Sequence, residues 1–345
     1  MTWAERAGRA EAAVAERHLR RLWGLPGTVL GRSGWPPTPG ELWHRPWNYW
    51  WQAHLLDCLV DAELRAPAAD RRRTIRRLAR SVWLRNRCGW RNDYFDDMAW
   101  LALALQRAGA VTGRRWRAAL RVLLDELRGA WTPDAGGGIW WRRGDDFKNA
   151  PANGPAAIAH ARAGELDRAA AILGWLEATL VDPVTGLVWD GVRAGSGELE
   201  RQVYTYCQGV FLGACLELSG VDGSAVGRAE RTVVAVAGHC APGGVLRGQD
   251  GGDGGLFAGI LARYLALAVP RLPDPAAATA RELVLGSAEA CWSGATDAPG
   301  GPLFGAEWAE PAPSLPAVAT DPARDLSVQV GAWMLLEAAA TMTRG

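Results

Sequence analysis

Apolar residues return at helical spacing along nearly the whole chain, and this periodicity excludes most folds built on sheets. Helices are expected at about 3–23, 49–65, 70–87, 95–108, 114–130, 153–163, 165–180, 201–219, 222–239, 256–269, 274–290 and 325–342, twelve in all. Short β-like or glycine-rich pieces interrupt them, namely GGGIWWRRG (136–144), GLVWDGV (186–192) and GGVLRG (243–248). The Pro/Gly-rich segments 31–48, 241–255 and 293–324 read as long loops.

Twelve antiparallel helices in hairpins form either an open superhelical array or a closed (α/α)6 toroid. An open solenoid shows a fixed sequence period and polar capping repeats, and neither is visible here. The expectation is therefore one all-α (α/α)6 barrel over residues 1–345, with no linker separating two domains. Its function would sit at one rim, where inner-helix ends meet short β-hairpin-like loops.

The composition narrows the function. Acidic and basic residues nearly cancel, 37 against 38, so no global field argues for nucleic acid or an anionic membrane as partner. Lys148 is the sole lysine, and 19 tryptophans stand against 5 phenylalanines and 5 tyrosines. Many of these indoles flank Gly, Asn and Asp, the setting in which sugar-binding clefts use aromatic faces. The six cysteines have no C-x-x-C spacing, and the five histidines form no H-E-x-x-H. Neither a metal nor a cofactor is expected, and most cysteines read as small buried hydrophobes. The amphipathic N-terminus lacks the apolar core of a signal peptide, and no stretch is long enough to span a bilayer. A cytoplasmic monomer is expected, or a secreted one if an export signal has been removed.

The most informative stretch is WRNDYFDDMAW (90–100). Met98, Leu101, Ala102 and Leu105 form a buried stripe, which puts Asp96 and Asp97 in the first turn of a helix. An aspartate there can cap the helix or favour its dipole, but Asn92 or Asp93 could do so already. Two further adjacent carboxylates repel each other unless one is protonated or both are hydrogen-bonded. A general acid beside a nucleophile or base explains the excess, and the distance between the carboxyl groups would decide between retention and inversion. Trp100, one turn on, leans back toward the pair and could raise one pKa while the helix dipole holds the other group ionised. Magnesium chelation of the D-D-x-x-D kind is disfavoured because Trp100 takes the third position. There is no G-x-S-x-G elbow and no P-loop.

Several segments in order, YWWQAHLLDCLVDAE (49–63), NDYFDDMAWLALAL (92–105), GGGIWWRRGDDFKNAPANGPAAIAHAR (136–162), VWDGV (188–192), YTYCQGVFLGACLEL (204–218) and LFAGILARYLAL (256–267), resemble glycoside hydrolase family 76, the α-1,6-mannanases. The resemblance implies an (α/α)6 barrel and an endo-acting, retaining hydrolase of α-mannan or manno-oligosaccharides. It implies Asp96 as nucleophile and Asp97 as general acid and base. As substrate-binding candidates it suggests Trp51, Gln52, Tyr94, Trp100, Trp140 and Trp141, together with Lys148, Asn149, Asn153, Asp190, Tyr206 and Gln208. Cys207 stands where the family commonly has Asn. One of Trp140 and Trp141 is expected to face the cleft and the other to pack inward. Asn153 could equally cap a helix, Asp190 could serve a turn, and Trp51 could be a core residue. Two other outcomes remain open on the same scaffold: transglycosylation, and glycan binding without catalysis, against which the intact aspartate pair argues.

Overall fold

The computed structural model describes residues 1–314 and 321–343. Its helices are α1 (Trp3–His18), a single turn α2 (Pro39–Leu42), α3 (Tyr49–Arg65), α4 (Ala69–Arg85), α5 (Phe95–Thr112), α6 (Arg117–Gly129), α7 (Ala150–Arg162), α8 (Leu166–Leu180), α9 (Thr205–Leu218), α10 (Ala225–His239), α11 (Phe257–Ala268), α12 (Ala276–Ser293) and α13 (Leu326–Met342). Apart from α2, every one of them falls on an expected segment.

Helices α3, α5, α7, α9, α11 and α13 pack each against the next, and α13 closes on α3. The remaining long helices lie outside this ring, with α1 against α13 and α4 and α6 against α5. That is a closed helical barrel. The inner helices run the same way, because early residues meet early residues (Trp50 with Phe257) and late meet late (Asp61 with Arg263). Inner helices are buried on nearly all sides; α13 is buried from Leu326 to Ala340. Glycines permit the close approach: a Cβ on Gly154 would lie 2.4 Å from Val210, on Gly209 2.9 Å from the Leu261 backbone, and on Gly259 2.6 Å from the Gly331 carbonyl.

The ring's lower end holds an ion network. Arg107 of α5 and Arg263 of α11 are shared between Asp57 and Asp61 of α3, so two positive and two negative charges neutralise each other. They line a cavity of about 490 Å³ whose upper wall includes His54 and Trp100.

The differences from expectation lie in the loops. The first helix ends at His18, not at 23, because Leu19–Arg20 (β1) pairs antiparallel with Leu30–Gly31 (β2). Phe147–Asn149 (β3), Gly191–Arg193 (β4) and Leu199–Glu200 (β5) form a three-stranded antiparallel sheet beside the tryptophan-rich loops. Thr296–Ala298 (β6) pairs with Gly301–Leu303 (β7) in the last long loop, of which residues 315–320 lie outside the described ones. The segment 243–248 contains no strand. Helix α9 begins at Thr205, not 201, where its N–H and hydroxyl both donate to Gln249 Oε1. No described helix is long and apolar enough to cross a membrane.

Candidate active site

The N-terminal ends of the inner helices converge on one rim, and α5 brings Asp96 and Asp97 there. Neither Asn92 nor Asp93 caps α5, contrary to expectation; Tyr94 is the N-cap residue and makes no side-chain cap. The Phe95 N–H donates to the Trp141 carbonyl at 2.8 Å instead, so a loop from elsewhere in the chain closes the helix start. Asn92 is thereby free for another task. Its side-chain oxygen accepts the Tyr94 N–H at 3.3 Å, and its amide nitrogen donates to Asp97 Oδ2.

Asp96 has two donors of its own. Its Oδ1 accepts the Asp97 backbone N–H at 2.8 Å, and its Oδ2 accepts the Trp141 indole N–H at 3.1 Å. Burial pushes the Asp96 pKa up to about 7, with the two donors opposing the rise and the charge of Asp253 adding to it. Asp97 is pushed well above the carboxylate range, by burial first, then by the charges of Asp96 and Asp253. No described lysine or arginine forms an ion pair with either. The chain's other adjacent aspartates, Asp145 and Asp146, are the reverse case: Arg193 Nη1 lies 3.1 Å from each, and Arg142 adds a contact to Asp145 at 3.2 Å. One pair is neutralised structure; the other is uncompensated charge at a rim.

Asp253, from the Pro/Gly-rich loop 241–255, is a third carboxylate facing this pair. Its Oδ1 accepts the indole N–H of Trp50 at 3.0 Å and of Trp51 at 2.7 Å. Trp50 also centres an aromatic floor: it lies 6.4 Å from both Trp100 and Tyr206 and 6.2 Å from Phe257, and Tyr206 stacks on Phe257 at 3.8 Å. Tyr206 and Trp50 are half-buried, so part of each ring faces the rim.

The other candidates divide. Trp141 reaches Asp96 and meets Tyr94 edge to face at 5.3 Å, while Trp140 packs on the core under Lys148 Nζ, 4.4 Å from the ring centre. Asp190 is partly buried, and burial, with Glu200 nearby, pushes its pKa up to about 7; Cys207 Sγ lies 3.9 Å from its Oδ1. The Asp190 and Asp96 charges both act on the Tyr206 hydroxyl, which puts Asp190 on the same side of the barrel. Trp51 is 4% exposed, yet its N–H serves Asp253. Trp100 does not reach the aspartates by hydrogen bond; it lies 4.6 Å from His54, beneath Trp50, and the indole bonded to the pair is that of Trp141.

Gln52, Asn153 and Gln208 are corrected from substrate contacts to structural clamps. All three are fully buried. Each sits at the fourth position of an inner helix and grips one loop residue through both backbone groups: Gln52 holds Gly31, Asn153 holds Ile139 and Gln208 holds Val188. Gln329, which the sequence reading missed, does the same for Phe304. Lys148 is likewise structural: 0% exposed, it donates to Thr132, Asp134 and Gly137 within 3.0 Å. Asn149, not Asn153, caps α7, accepting the Ala152 N–H. Among the described residues no group of three His, Cys, Asp or Glu is placed to hold a metal ion.

A barrel of six inner helices with carboxylates and an aromatic floor at one rim is the architecture of a glycan-processing enzyme. The family model described as glycosyl hydrolase family 76 matches residues 7–342. The GH76A α-1,6-mannanase of Salegentibacter sp. HEL1_6 is 32% identical, with 99% of each chain covered and a TM-score of 0.87. An inactive variant of that enzyme, with two adjacent aspartates changed to asparagine, is known in complex with α-1,6-mannotriose; this chain is 31% identical to it at a TM-score of 0.87, again over 99% of each. The Lin0763 protein of Listeria innocua is 28% identical over 99% of this chain and 97% of that one, at a TM-score of 0.86. A search of curated proteins returned no significant match. The chain belongs to glycosyl hydrolase family 76 and is a glycoside hydrolase.

Proposed function

We propose that the protein is an endo-acting α-1,6-mannanase working by double displacement, with Asp96 as nucleophile and Asp97 as general acid and base. The observation that carries this is the unequal treatment of two adjacent, cation-free carboxylates. Donors from the Asp97 backbone and Trp141 favour the ionised form of Asp96. Asp97 has one donor, Asn92, and the charge of Asp96 beside it adds to the burial that raises its pKa. A single proton shared by the pair therefore resides on Asp97, as a general acid beside an ionised nucleophile requires.

In the first step Asp96 attacks the anomeric carbon while Asp97 gives its proton to the departing glycosidic oxygen, leaving a mannosyl ester on Asp96. In the second, Asp97 takes a proton from water as that water attacks the same carbon and Asp96 departs. Two inversions give net retention. The half-buried faces of Trp50 and Tyr206 offer stacking surfaces for sugar rings. Solved complexes of the Salegentibacter enzyme's inactive variants with α-1,6-mannotriose and mannotetraose support both the linkage and the importance of an adjacent aspartate pair.

The test is to incubate the protein with a panel of α-mannans and α-glucans and identify the products. Release of oligosaccharides from α-1,6-mannan is expected. Cleavage of only another α-glycan would overturn the substrate, and release of mannose alone would overturn endo action.

A further inference from the structure

The neutral total charge conceals a strongly basic groove along one side of the barrel. Helix α4 contributes Arg73, Arg76, Arg77 and Arg80, and the turn before α6 with that helix's first residue contributes Arg114, Arg115 and Arg117. Among the described residues only Arg73 has a carboxylate partner, Asp70. Like charges so close repel one another, and a bound anion would relieve that repulsion.

Three indoles line the same groove, Trp83, Trp90 and Trp116, around a volume of about 730 Å³. Trp116 is 6% exposed, and its ring N–H has no hydrogen-bond partner; Arg114 lies over the ring at 4.4 Å. The exposed guanidiniums around these rings are the donors that an anionic ligand would satisfy. One wall of the groove lies close in sequence to the candidate active site. From Arg73 to Trp83 it follows α4 for about 15 Å at 1.5 Å per residue. Trp90 then forms its upper wall, two residues before Asn92, which holds Asp97.

We infer that this groove binds phosphate groups carried by the same glycan whose mannosyl linkage lies at Asp96 and Asp97, so that the preferred substrate is a phosphorylated α-mannan. The inference rests on the mannanase reading above. The chemistry of the lining favours a glycan: guanidiniums pair with phosphate oxygens through two donors, and indoles stack on pyranose faces. The three tryptophans are recessed, two half-buried and one buried, whereas a bilayer-binding face would present rings outward.

The test compares a phosphorylated α-1,6-mannan with the same polymer after phosphatase treatment, by titration calorimetry at low and high salt. The proteins are the wild type, Asp96→Asn/Asp97→Asn, and Arg77→Gln/Arg80→Gln/Arg115→Gln, whose changes are all at exposed positions. The wild type should prefer the phosphorylated polymer by about tenfold or more at low salt, a margin that shrinks as salt rises. The arginine variant should lose that margin and keep its affinity for the dephosphorylated polymer. The aspartate variant should keep the margin, so failure of the groove is distinguishable from failure of the mannanase reading. Equal binding of the two polymers by the wild type, or a margin that survives in the arginine variant, overturns the inference. So does binding of anionic phospholipid vesicles or a single-stranded oligonucleotide as tight as that of the phosphorylated mannan.

Discussion

The indole nitrogen of Trp141 lies 3.1 Å from Oδ2 of Asp96, although 45 residues separate them in the chain. The same Trp141 closes the start of α5 through its carbonyl. One residue thus fixes both the helix that carries the carboxylates and the ionisation of the first of them. Removing only the N–H, with Trp141→Phe, should raise the Asp96 pKa above its value of about 7. The nucleophile is then protonated over a wider range, so the acid limb of the kcat/KM profile should move to higher pH, and kcat near pH 6 should fall about tenfold. A pH–rate profile checks this; an unmoved acid limb would show that Trp141 acts only in packing.

Asp253 pushes in the opposite sense. Its charge raises both members of the pair, and in Asp253→Asn the amide oxygen can still accept the Trp50 and Trp51 indoles. Both limbs of the profile should therefore shift to lower pH, by about half a unit to one unit. A shift confined to one limb would place Asp253 near only one of the two aspartates.

Stability should report the same electrostatics. A carboxyl group whose folded pKa lies above its unfolded value keeps its proton longer in the fold. The native state then binds more protons than the unfolded one, and stability falls as pH rises from about 4 toward the raised folded-state pKa. Asp97→Asn removes that loss, so it should melt about 2 °C or more above wild type near pH 8, and the difference should shrink near pH 4. Scanning calorimetry at the two pH values decides it. A lower melting temperature at pH 8 would mean that the ionised carboxylate is stabilised by partners not evident in the structure.

The amide clamps separate structural from functional roles. Gln208→Leu leaves the Val188 N–H and carbonyl buried without partners and should cost about 2–4 kcal/mol by denaturant titration. Activity per folded molecule at low temperature should stay within about twofold of wild type. A large KM increase without loss of stability would return Gln208 to the substrate site.

Most of the fold was legible because the outer helices keep one buried and one exposed face, and the inner helices, buried on nearly all sides, read as long apolar runs between loops. Even α13, buried almost all round, remained readable by its length and by the absence of breakers. The aspartate pair was legible for a different reason: its charge exceeded any capping need. What stayed hidden depends on contacts across the sequence. Gln52, Asn153, Gln208 and Gln329 recur at the fourth position of four inner helices and make the same two-point grip on a loop. Because apart from that amide these helices share little sequence, the repeat emerges only in three dimensions. Their polarity beside aromatic loops imitated a binding site. Asp253 was missed because a Gly-rich stretch gives no sign of what faces it, and Trp50 was passed over for its neighbour Trp51 because adjacent rings on a helix cannot be phased by eye. The arginine groove was invisible to the net charge, since its excess is balanced by acids elsewhere.

The central claim is that Asp96 and Asp97 perform a retaining cleavage of α-1,6-mannan. It is tested most directly by anomer-resolved proton NMR on the first minutes of digestion, with wild type, Asp96→Asn and Asp97→Asn. The wild type should release products first in the α configuration, and each variant should lose about 10³-fold or more of the rate while keeping its helical signal and melting at or above wild type. First-formed β products, or a folded variant that still cleaves at near wild-type rate, would contradict it.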